Sequence, residues 1–357
     1  MQAQRAAARR LRAAMRVAMS YYVANGISVA LGLALISAGV HLLLGPVAGT
    51  TASVGVLVAA PPDLAAPRRG KFFQMLPAPL LGLPLFFAVQ VLHGKPLELG
   101  LLLVPATFLA FLAMAWGKRG IPIAIAVMFS MIFSMATPPQ PDWRLAWVST
   151  WHFGLGAGLY IVWAVLANSV LNARYRVQFT ADVLFALAAL MRTQARQFSA
   201  PGETDDVREI GAPVLGQLLR NQAALADQLQ AARDIVLESP RTPRRQQLAG
   251  MLMIALEMRD HLVATELDLE ALIVHPGGAQ VLREMRLIME ELAGETAALA
   301  DALLLARQPE PPLDRRPLLA DIHMPQDEGP GADGRMGPTS ALLARGMANR
   351  IGHLNDD

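Results

Sequence analysis

A long block from Val17 to Leu171 contains few charged residues, and this most constrains how the chain can fold. The chain is 54% hydrophobic and only 17% charged, and most of its charges lie in the C-terminal half. A helix of about 20 apolar residues crosses the hydrocarbon core of a bilayer. The block therefore predicts a polytopic, all-helical membrane domain, followed by a polar domain.

Six membrane-spanning helices account for this block. Their approximate ranges are 23–44, 47–60, 75–92, 99–116, 121–135 and 145–171. The loops alternate between strongly basic and weakly charged, and the basic side receives the N-terminus, the 68–71 loop, the 118–119 loop and the residues after 171. Because positive charge marks the cytoplasmic side, both the N-terminus and the polar domain are predicted to be cytoplasmic.

The second predicted helix is short and interrupted. Its apolar part holds about 14 residues, fewer than the ~20 that a spanning helix needs, and it lies between Gly45-Pro46 and Pro61-Pro62. Membrane transporters place substrates at broken helices, because helix ends expose free backbone N–H and C=O groups. The hydroxyl side chains predicted to line a substrate site here are Thr50, Thr51 and Ser53.

An acidic residue and a basic cluster follow this helix. We expect Asp63 to form an ion-paired gate with Arg68 and Arg69 at the cytoplasmic mouth, or the cations Arg68, Arg69 and Lys71 to attract anions there. The alternative is that these cations only set the topology. His152, near the start of the sixth span, is a candidate for proton coupling because histidine changes charge at physiological pH; its alternative role is an interface anchor.

Other polar residues occur inside the predicted spans, where polar groups are expensive without a partner. Besides the residues named above, they are Ser28, Ser37, Gln90, Thr107, Ser130, Ser134, Thr150, Tyr160 and Asn168. Serine and threonine can bond to their own helix, so they carry little information singly. Gly154 and Gly158 form a GxxxG pattern in the sixth span, which is typical of a helix-packing face.

No enzyme signature occurs in the chain. It lacks the GxSxG, P-loop and HExxH motifs, and it has no cysteine, which excludes a disulfide framework and cysteine-based metal sites. We therefore predict that the protein is not an enzyme and holds no cofactor and no metal. The basic residues cluster beside the spans, so we predict contact with membrane lipid rather than with nucleic acid.

Amphipathic helices are predicted after residue 171, where apolar residues recur at spacings of three and four. Short breaks between them favour an antiparallel helical bundle. The predicted domains are a basic N-terminal helix (1–19), a six-span domain (20–171), a cytosolic helical bundle (172–307), a flexible linker (308–338) and the start of a further helix or a tail (339–357).

Three stretches carry a resemblance to a known family: VGVLVAAPPDLAAPRRGK at 54–71, NARYRVQ at 172–178 and MRDHL at 258–262. They are similar to the fusaric acid resistance / aromatic acid exporter superfamily. The resemblance implies a proton-driven exporter of aromatic or other organic anions in the bacterial inner membrane. Family members often carry two copies of such a unit, so a second repeat or a homodimer is implied.

Two other functions stay open at this point. The first is a dimeric anion channel of the plant malate-channel kind, which also combines six spans with a helical bundle. The second is a non-transporting membrane scaffold whose cytosolic bundle binds a partner protein. A missing buried acid in the spans favours the scaffold slightly, because proton-driven carriers usually bury one.

Overall fold

The computed structural model of the chain describes residues 14–138, 140, 142–198, 207–238, 242–273, 278–309, 313, 348–349 and 351. These residues form helices and connecting turns, and no strand occurs among them. The prediction of an all-helical protein is confirmed. The chain divides into two compact units, Met1–Tyr175 and Arg176–Asp357.

Ten α-helices account for most of the described residues. They are α1 (Tyr21–Leu44), α2 (Pro46–Ala59), α3 (Lys71–Met75), α4 (Pro77–Leu92), α5 (Pro96–Ala113), α6 (Gly120–Ala136), α7 (Trp143–Ala195), α8 (Val207–Val236), α9 (Pro243–Ile273) and α10 (Gly278–Leu304). Short 3₁₀ helices follow α5 at Met114–Arg119 and α7 at Arg196–Phe198.

Four stretches of the described chain are long and apolar enough to cross a membrane. They are Tyr21–Leu44, Lys71–Leu92, Pro96–Gly117 and Trp143–Phe198. The second and fifth predicted spans correspond to the shorter apolar helices Pro46–Ala59 and Gly120–Ala136. The count of six spans therefore stays a prediction, because these two helices are shorter than a typical crossing.

The helices α1 and α2 are separated by a single glycine. Gly45 has φ +91°, a left-handed conformation that glycine adopts without a steric penalty, and its N–H donates to the carbonyl of His41. Pro46 then starts α2, which suits proline because the first helical N–H needs no partner within the helix. This turn reverses the chain within one residue and lays α2 against α1.

Glycines allow α2 and α7 to touch backbone to backbone. A Cβ atom added at Gly55 would lie 2.0 Å from the carbonyl oxygen of Phe153, and one at Gly156 would lie 2.0 Å from that of Ala52. By contrast, nothing lies within 4 Å of a Cβ added at Gly158. The close contact in this GxxxG region is therefore made by its middle glycine.

Serine side chains join α4 to α6. Ser130 Oγ donates to the carbonyl of Gly82 at 2.7 Å, and Ser134 Oγ donates to that of Phe86 at 3.0 Å. Gln90 Nε2 donates to the carbonyl of Ser134 at 2.9 Å. The two donors are four residues apart on α6, and their acceptors are four residues apart on α4 in the same chain direction. The helices α4 and α6 therefore run parallel and are bonded on successive turns.

In the second unit, α8, α9 and α10 each bond to the later part of α7. Arg176 donates to the carbonyl of Val236, the last residue of α8, at 2.9 Å. Gln194 donates to the carbonyl of Leu262 in α9 at 3.0 Å, and Arg192 donates to the carbonyl of Ala293 in α10 at 3.1 Å. The later part of α7 thus organises this helical unit.

Some predicted regions lie outside the described residues. They are residues 1–13 of the basic N-terminal helix, most of the predicted 308–338 linker and most of the predicted 339–357 segment. Residues 14–18 of the N-terminal region are helical.

The α2–α7 contact gives a first prediction. Changing Gly156→Ala forces the two backbones apart, so we expect the free energy of unfolding to fall by about 1–3 kcal/mol, the usual effect of overpacking. Thermal unfolding of the purified protein in detergent measures this change.

Gly158→Ala is the matched control, because it makes the same substitution on the same helix in open space. We expect it to be neutral or to stabilise by up to about 1 kcal/mol, since alanine favours helix over glycine. Equal melting temperatures for the two variants would contradict the proposed backbone contact.

Candidate functional site

A non-helical segment, Pro62–Ala66, follows α2 and is the best candidate for a functional site. Proline has no backbone N–H and disfavours a helical residue before it, so Pro61 and Pro62 end α2. The chain then stays irregular until α3 begins at Lys71. Irregular backbone at membrane depth is tolerated only where other groups bond to its N–H and C=O groups.

Side chains of other helices provide these bonds for five consecutive residues. From α3, Gln74 donates to the Pro62 carbonyl at 3.1 Å and Lys71 donates to the Leu64 carbonyl at 2.5 Å. From α1, Asn25 donates to the Asp63 carbonyl at 2.7 Å, and the Tyr21 hydroxyl accepts from the Ala65 N–H at 2.7 Å. From α7, Asn168 donates to the Ala66 carbonyl at 3.1 Å. The segment is thus held from three helices at once.

Asp63, Lys71 and Tyr160, here called the Asp63 cluster, lie at its centre. The Lys71 ammonium forms an ion pair with Asp63 Oδ1, and the Tyr160 hydroxyl donates to Asp63 Oδ2 at 2.7 Å. The exposed fractions are 5% for Asp63, 1% for Lys71 and 0% for Tyr160. Both carboxylate oxygens therefore have a donor, and solvent reaches almost none of the three side chains.

The burial of this ion pair has an energetic consequence. Removing two charges from water costs several kcal/mol per ion, and only close pairing with further hydrogen bonds offsets that cost. The Lys71 ammonium obtains such bonds from Asp63 and the Leu64 carbonyl, and the Asp63 carboxylate obtains them from Lys71 and Tyr160. Ionisable residues buried at membrane depth are costly, and they commonly mark a transport pathway.

Arg68 and Arg69 lie at the edge of this region and are exposed. Arg68 donates to the carbonyl of Ser169 on α7 at 2.6 Å. The structure therefore brings four of the predicted site residues, Asp63, Arg68, Arg69 and Lys71, to one end of the first unit. The ion-pair partner of Asp63 is Lys71, instead of the Arg68 and Arg69 expected from the sequence, because Lys71 is the cation that lies in the interior beside the carboxylate.

The predicted hydroxyl residues lie elsewhere on α2. Thr50 and Thr51 both donate to the carbonyl of Val47, at 2.9 and 3.0 Å, and Ser53 donates to that of Gly49 at 2.7 Å. Ser53 also bonds to Ser37 of α1 at 2.7 Å, which joins the two helices. Thr50 is roughly 14 Å along the helix axis from the end of α2, so these hydroxyls do not join the Asp63 cluster.

His152 is half-buried on α7. It precedes Tyr160 by eight residues, which places it roughly 12 Å from Tyr160 along the helix axis. The structure thus separates the predicted site residues into a group at the Pro62–Ala66 segment and a group spread along α2 and α7.

Several residues that hold this segment were not predicted to belong to a site. Tyr160 and Asn168 were recognised only as polar residues within a span, and Tyr21 and Asn25 lie near the start of α1. Tyr160 and Asn168 are eight residues apart and so share a helix face. This shared polar face is the signal that points to them.

The comparisons with known proteins support this membrane architecture. Residues 80–323 match the family described as FUSC-like inner membrane protein yccS. The chain belongs to this family. No curated protein and no solved structure matches the chain.

Membership in the FUSC-like family agrees with the predicted relation to the fusaric acid resistance superfamily, and that prediction is confirmed. Together with the apolar helices, it supports an inner-membrane location and a transporter-type rather than an enzymatic protein. The FUSC-like match begins at residue 80, after the Pro62–Ala66 segment. The Asp63 cluster is therefore a candidate site because of its geometry alone.

The buried ion pair gives a second prediction. Lys71→Met leaves the Asp63 carboxylate buried without its cation, so we expect the free energy of unfolding to fall by about 3–5 kcal/mol. The double variant Asp63→Asn/Lys71→Met removes both charges and should recover most of this loss. Chemical or thermal unfolding in detergent measures all three proteins.

Lys95→Gln is the control, because Lys95 also pairs with an acid, Glu98 at 3.2 Å, but both are exposed. Exposed pairs of this kind contribute at most about 1 kcal/mol. If Lys71→Met were no more destabilising than Lys95→Gln, the Asp63–Lys71 pair would not be buried in the folded protein.

Proposed function

We propose that the protein is an inner-membrane exporter of aromatic or other organic anions, in which the anion enters at the Asp63 cluster. The single observation that supports this most is a buried lysine at the end of a short helix, next to non-helical backbone. Transporters commonly bind anionic groups at such helix ends. The FUSC-like family supports the general class of membrane transporter.

The charge at this end of the first unit supports an anionic substrate. Arg68, Arg69 and Arg174 are exposed there, and Lys71 lies behind them in the interior. The acidic residue at this end, Asp63, is buried and forms an ion pair with Lys71. A mouth lined by one sign of charge raises the local concentration of ions of the opposite sign.

The placement of the anion at this end also follows from the hydroxyl groups. Thr50, Thr51 and Ser53 each donate to an acceptor in their own helix. The Lys71 ammonium, by contrast, is held by a carboxylate that a substrate carboxylate resembles chemically. We therefore assign initial anion binding to the cluster and give the α2 hydroxyls the lesser role of lining the path beyond it.

Proton-coupled carriers usually bury an acid in the membrane domain, and Asp63 is a buried acid. We propose that Asp63 rather than His152 carries the proton. In this proposal the protein works together with a second copy of the unit, which is supplied by a homodimer or by a second repeat. A saturable anion flux supports this exporter, whereas a current that follows the anion gradient without saturation supports the channel.

A third prediction concerns the exposed arginines. In proteoliposomes, Arg69→Gln should raise the KM for radiolabelled benzoate about two- to threefold at low ionic strength, because one exposed positive charge beside the Asp63 cluster is lost. The value of kcat should stay unchanged. At 1 M salt the difference should vanish, since charges are then screened within about 3 Å.

Arg144→Gln is the matched control, because Arg144 is also exposed but lies at the start of α7, away from the Asp63 cluster. It should leave KM unchanged at both salt concentrations. Identical KM values for Arg69→Gln and the unchanged protein at low salt would overturn the role of this charge, and absence of any benzoate flux would overturn the proposed function.

A fourth prediction concerns membrane topology. The chain has no cysteine, so single cysteines can be introduced without a background signal. We propose that the arginine-rich end is cytoplasmic, because positive loops face the cytoplasm. Three exposed tryptophans, Trp143, Trp147 and Trp151, lie at the start of α7, as expected for residues at the opposite membrane interface.

In intact cells, a membrane-impermeant thiol reagent should label Arg144→Cys but neither Arg69→Cys nor Arg174→Cys. In inverted vesicles the pattern should reverse. Labelling of Arg69→Cys and Arg174→Cys from different sides would contradict the six-span topology and the proposed direction of transport.

A further inference from the structure

We propose that the Asp63 carboxylate occupies the position of a substrate anion and leaves it by taking up one proton. The inference depends on the proposed function and adds the residue-level link between anion and proton. After the Asp63 side chain moves away, the substrate anion accepts hydrogen bonds from Lys71 and Tyr160.

The donor geometry supports this exchange. The Lys71 ammonium and the Tyr160 hydroxyl approach the two oxygens of one carboxylate from two different helices, α3 and α7. A carboxylate or sulfonate group of a substrate needs the same two kinds of donor. The site that the structure shows occupied by Asp63 is therefore already suited to an anion.

Charge balance links the exchange to a proton. Lys71 and Asp63 are nearly inaccessible to solvent and together carry no net charge. If an anion joined them unchanged, the buried group would hold an unpaired negative charge, which is strongly unfavourable. A proton passing from cytoplasmic water to an Asp63 oxygen restores neutrality. Anion and proton then occupy the site together and move in the same direction, so in this proposal the outward anion gradient, and not the inward proton gradient, drives export. The ammonium of Lys71 stays protonated and pairs with the anion.

Among the described residues of the first unit, no other acid and no histidine lies at the end that holds Asp63. The other acids of the sequence up to Tyr175 are Glu98, in the first turn of α5, and Asp142, just before α7, and both lie at the opposite end. The histidines are His41, His93 and His152. The titratable and charged groups facing Asp63 are Tyr21 from α1, Lys71 from α3, and Tyr160 and Tyr175 from α7, with Arg174 beside Tyr175. Arg68 donates to α7 from the same connection.

The path from solvent to the Asp63 cluster is short for both the proton and the anion. Leu64, the next residue, is 42% exposed, and the exposed Arg68 and Arg69 follow shortly after it in the chain. A small shift of this connection would open the Asp63 cluster to the cytoplasmic solution. The backbone bonds of Asn25 and Asn168 to the segment stay in place when only the Asp63 side chain turns away.

The test uses benzenesulfonate as the probe, because this anion binds no proton between pH 6 and pH 8. Isothermal titration of the full-length protein in detergent should show that its affinity rises as the pH falls. With one proton taken up per anion, the rise approaches about tenfold per pH unit. Asp63→Asn, which needs no proton to release Lys71, should bind more tightly than the unchanged protein at pH 8 and with no pH dependence.

Two variants serve as controls. Glu98→Gln removes an exposed acid at the opposite end and should keep the pH dependence of the unchanged protein. Asp63→Asn/Lys71→Gln has no buried charge and should fold but bind no benzenesulfonate. If Asp63→Asn itself does not fold, the proposal is tested by the number of protons that the unchanged protein takes up on binding. In a weakly buffered solution, this protein should remove close to one proton from solution for each anion bound.

The outcomes separate the two proposals. If Asp63→Asn still binds with the pH dependence of the unchanged protein, or if no proton is taken up on binding, the exchange is overturned while anion transport stands. If the unchanged protein neither binds nor transports benzenesulfonate or benzoate, the proposed function is overturned, and this inference falls with it.

Discussion

The structure of the membrane unit depends on satisfying one stretch of non-helical backbone in apolar surroundings. Each residue of the Pro62–Ala66 segment has a backbone group bonded to a side chain from α1, α3 or α7. A buried backbone N–H or C=O without a hydrogen-bond partner would cost several kcal/mol. This requirement explains why asparagine, glutamine, tyrosine and lysine side chains converge on a short connection.

Close helix packing makes this convergence possible. Gly55 and Gly156 bring the backbones of α2 and α7 into contact, and Tyr160 lies one helical turn beyond Gly156. Tyr160 therefore reaches Asp63 just past the end of α2. A larger residue at either glycine would move α7 outward and weaken the hydrogen bond to the carboxylate. Packing in the membrane core and chemistry at the Asp63 cluster are linked in this way.

The Asp63 cluster also favours a transporter over a non-transporting scaffold. No clear buried acid is recognisable in the spans from the sequence, and this slightly favoured a non-transporting scaffold. A carboxylate that is 5% exposed and held by a lysine and a tyrosine is such an acid. Together with the FUSC-like family, it favours a transporter in which anion and proton meet at one place.

The sequence alone determined the class of the fold and the positions of most helices. Apolar length predicted the membrane helices, and Gly45-Pro46 with Pro61-Pro62 bounded the short second helix, because these residues act on the backbone locally. The same local charge pattern selected Asp63, Arg68, Arg69 and Lys71, which do lie together. It suggested Arg68 and Arg69 as the partners of Asp63, whereas the buried partner is Lys71, the third basic residue within eight positions.

Only the tertiary structure decided that pairing and the rest of the cluster. Tyr160 is 97 residues from Asp63 and Asn168 is 102 residues from Ala66, so their contacts depend on how α2 packs against α7. The hydroxyls of Thr50 and Thr51 had the right chemistry for a site, but the fold directs them to their own helix. Composition and spacing record which groups a chain carries, whereas the packing of distant helices decides which of them meet.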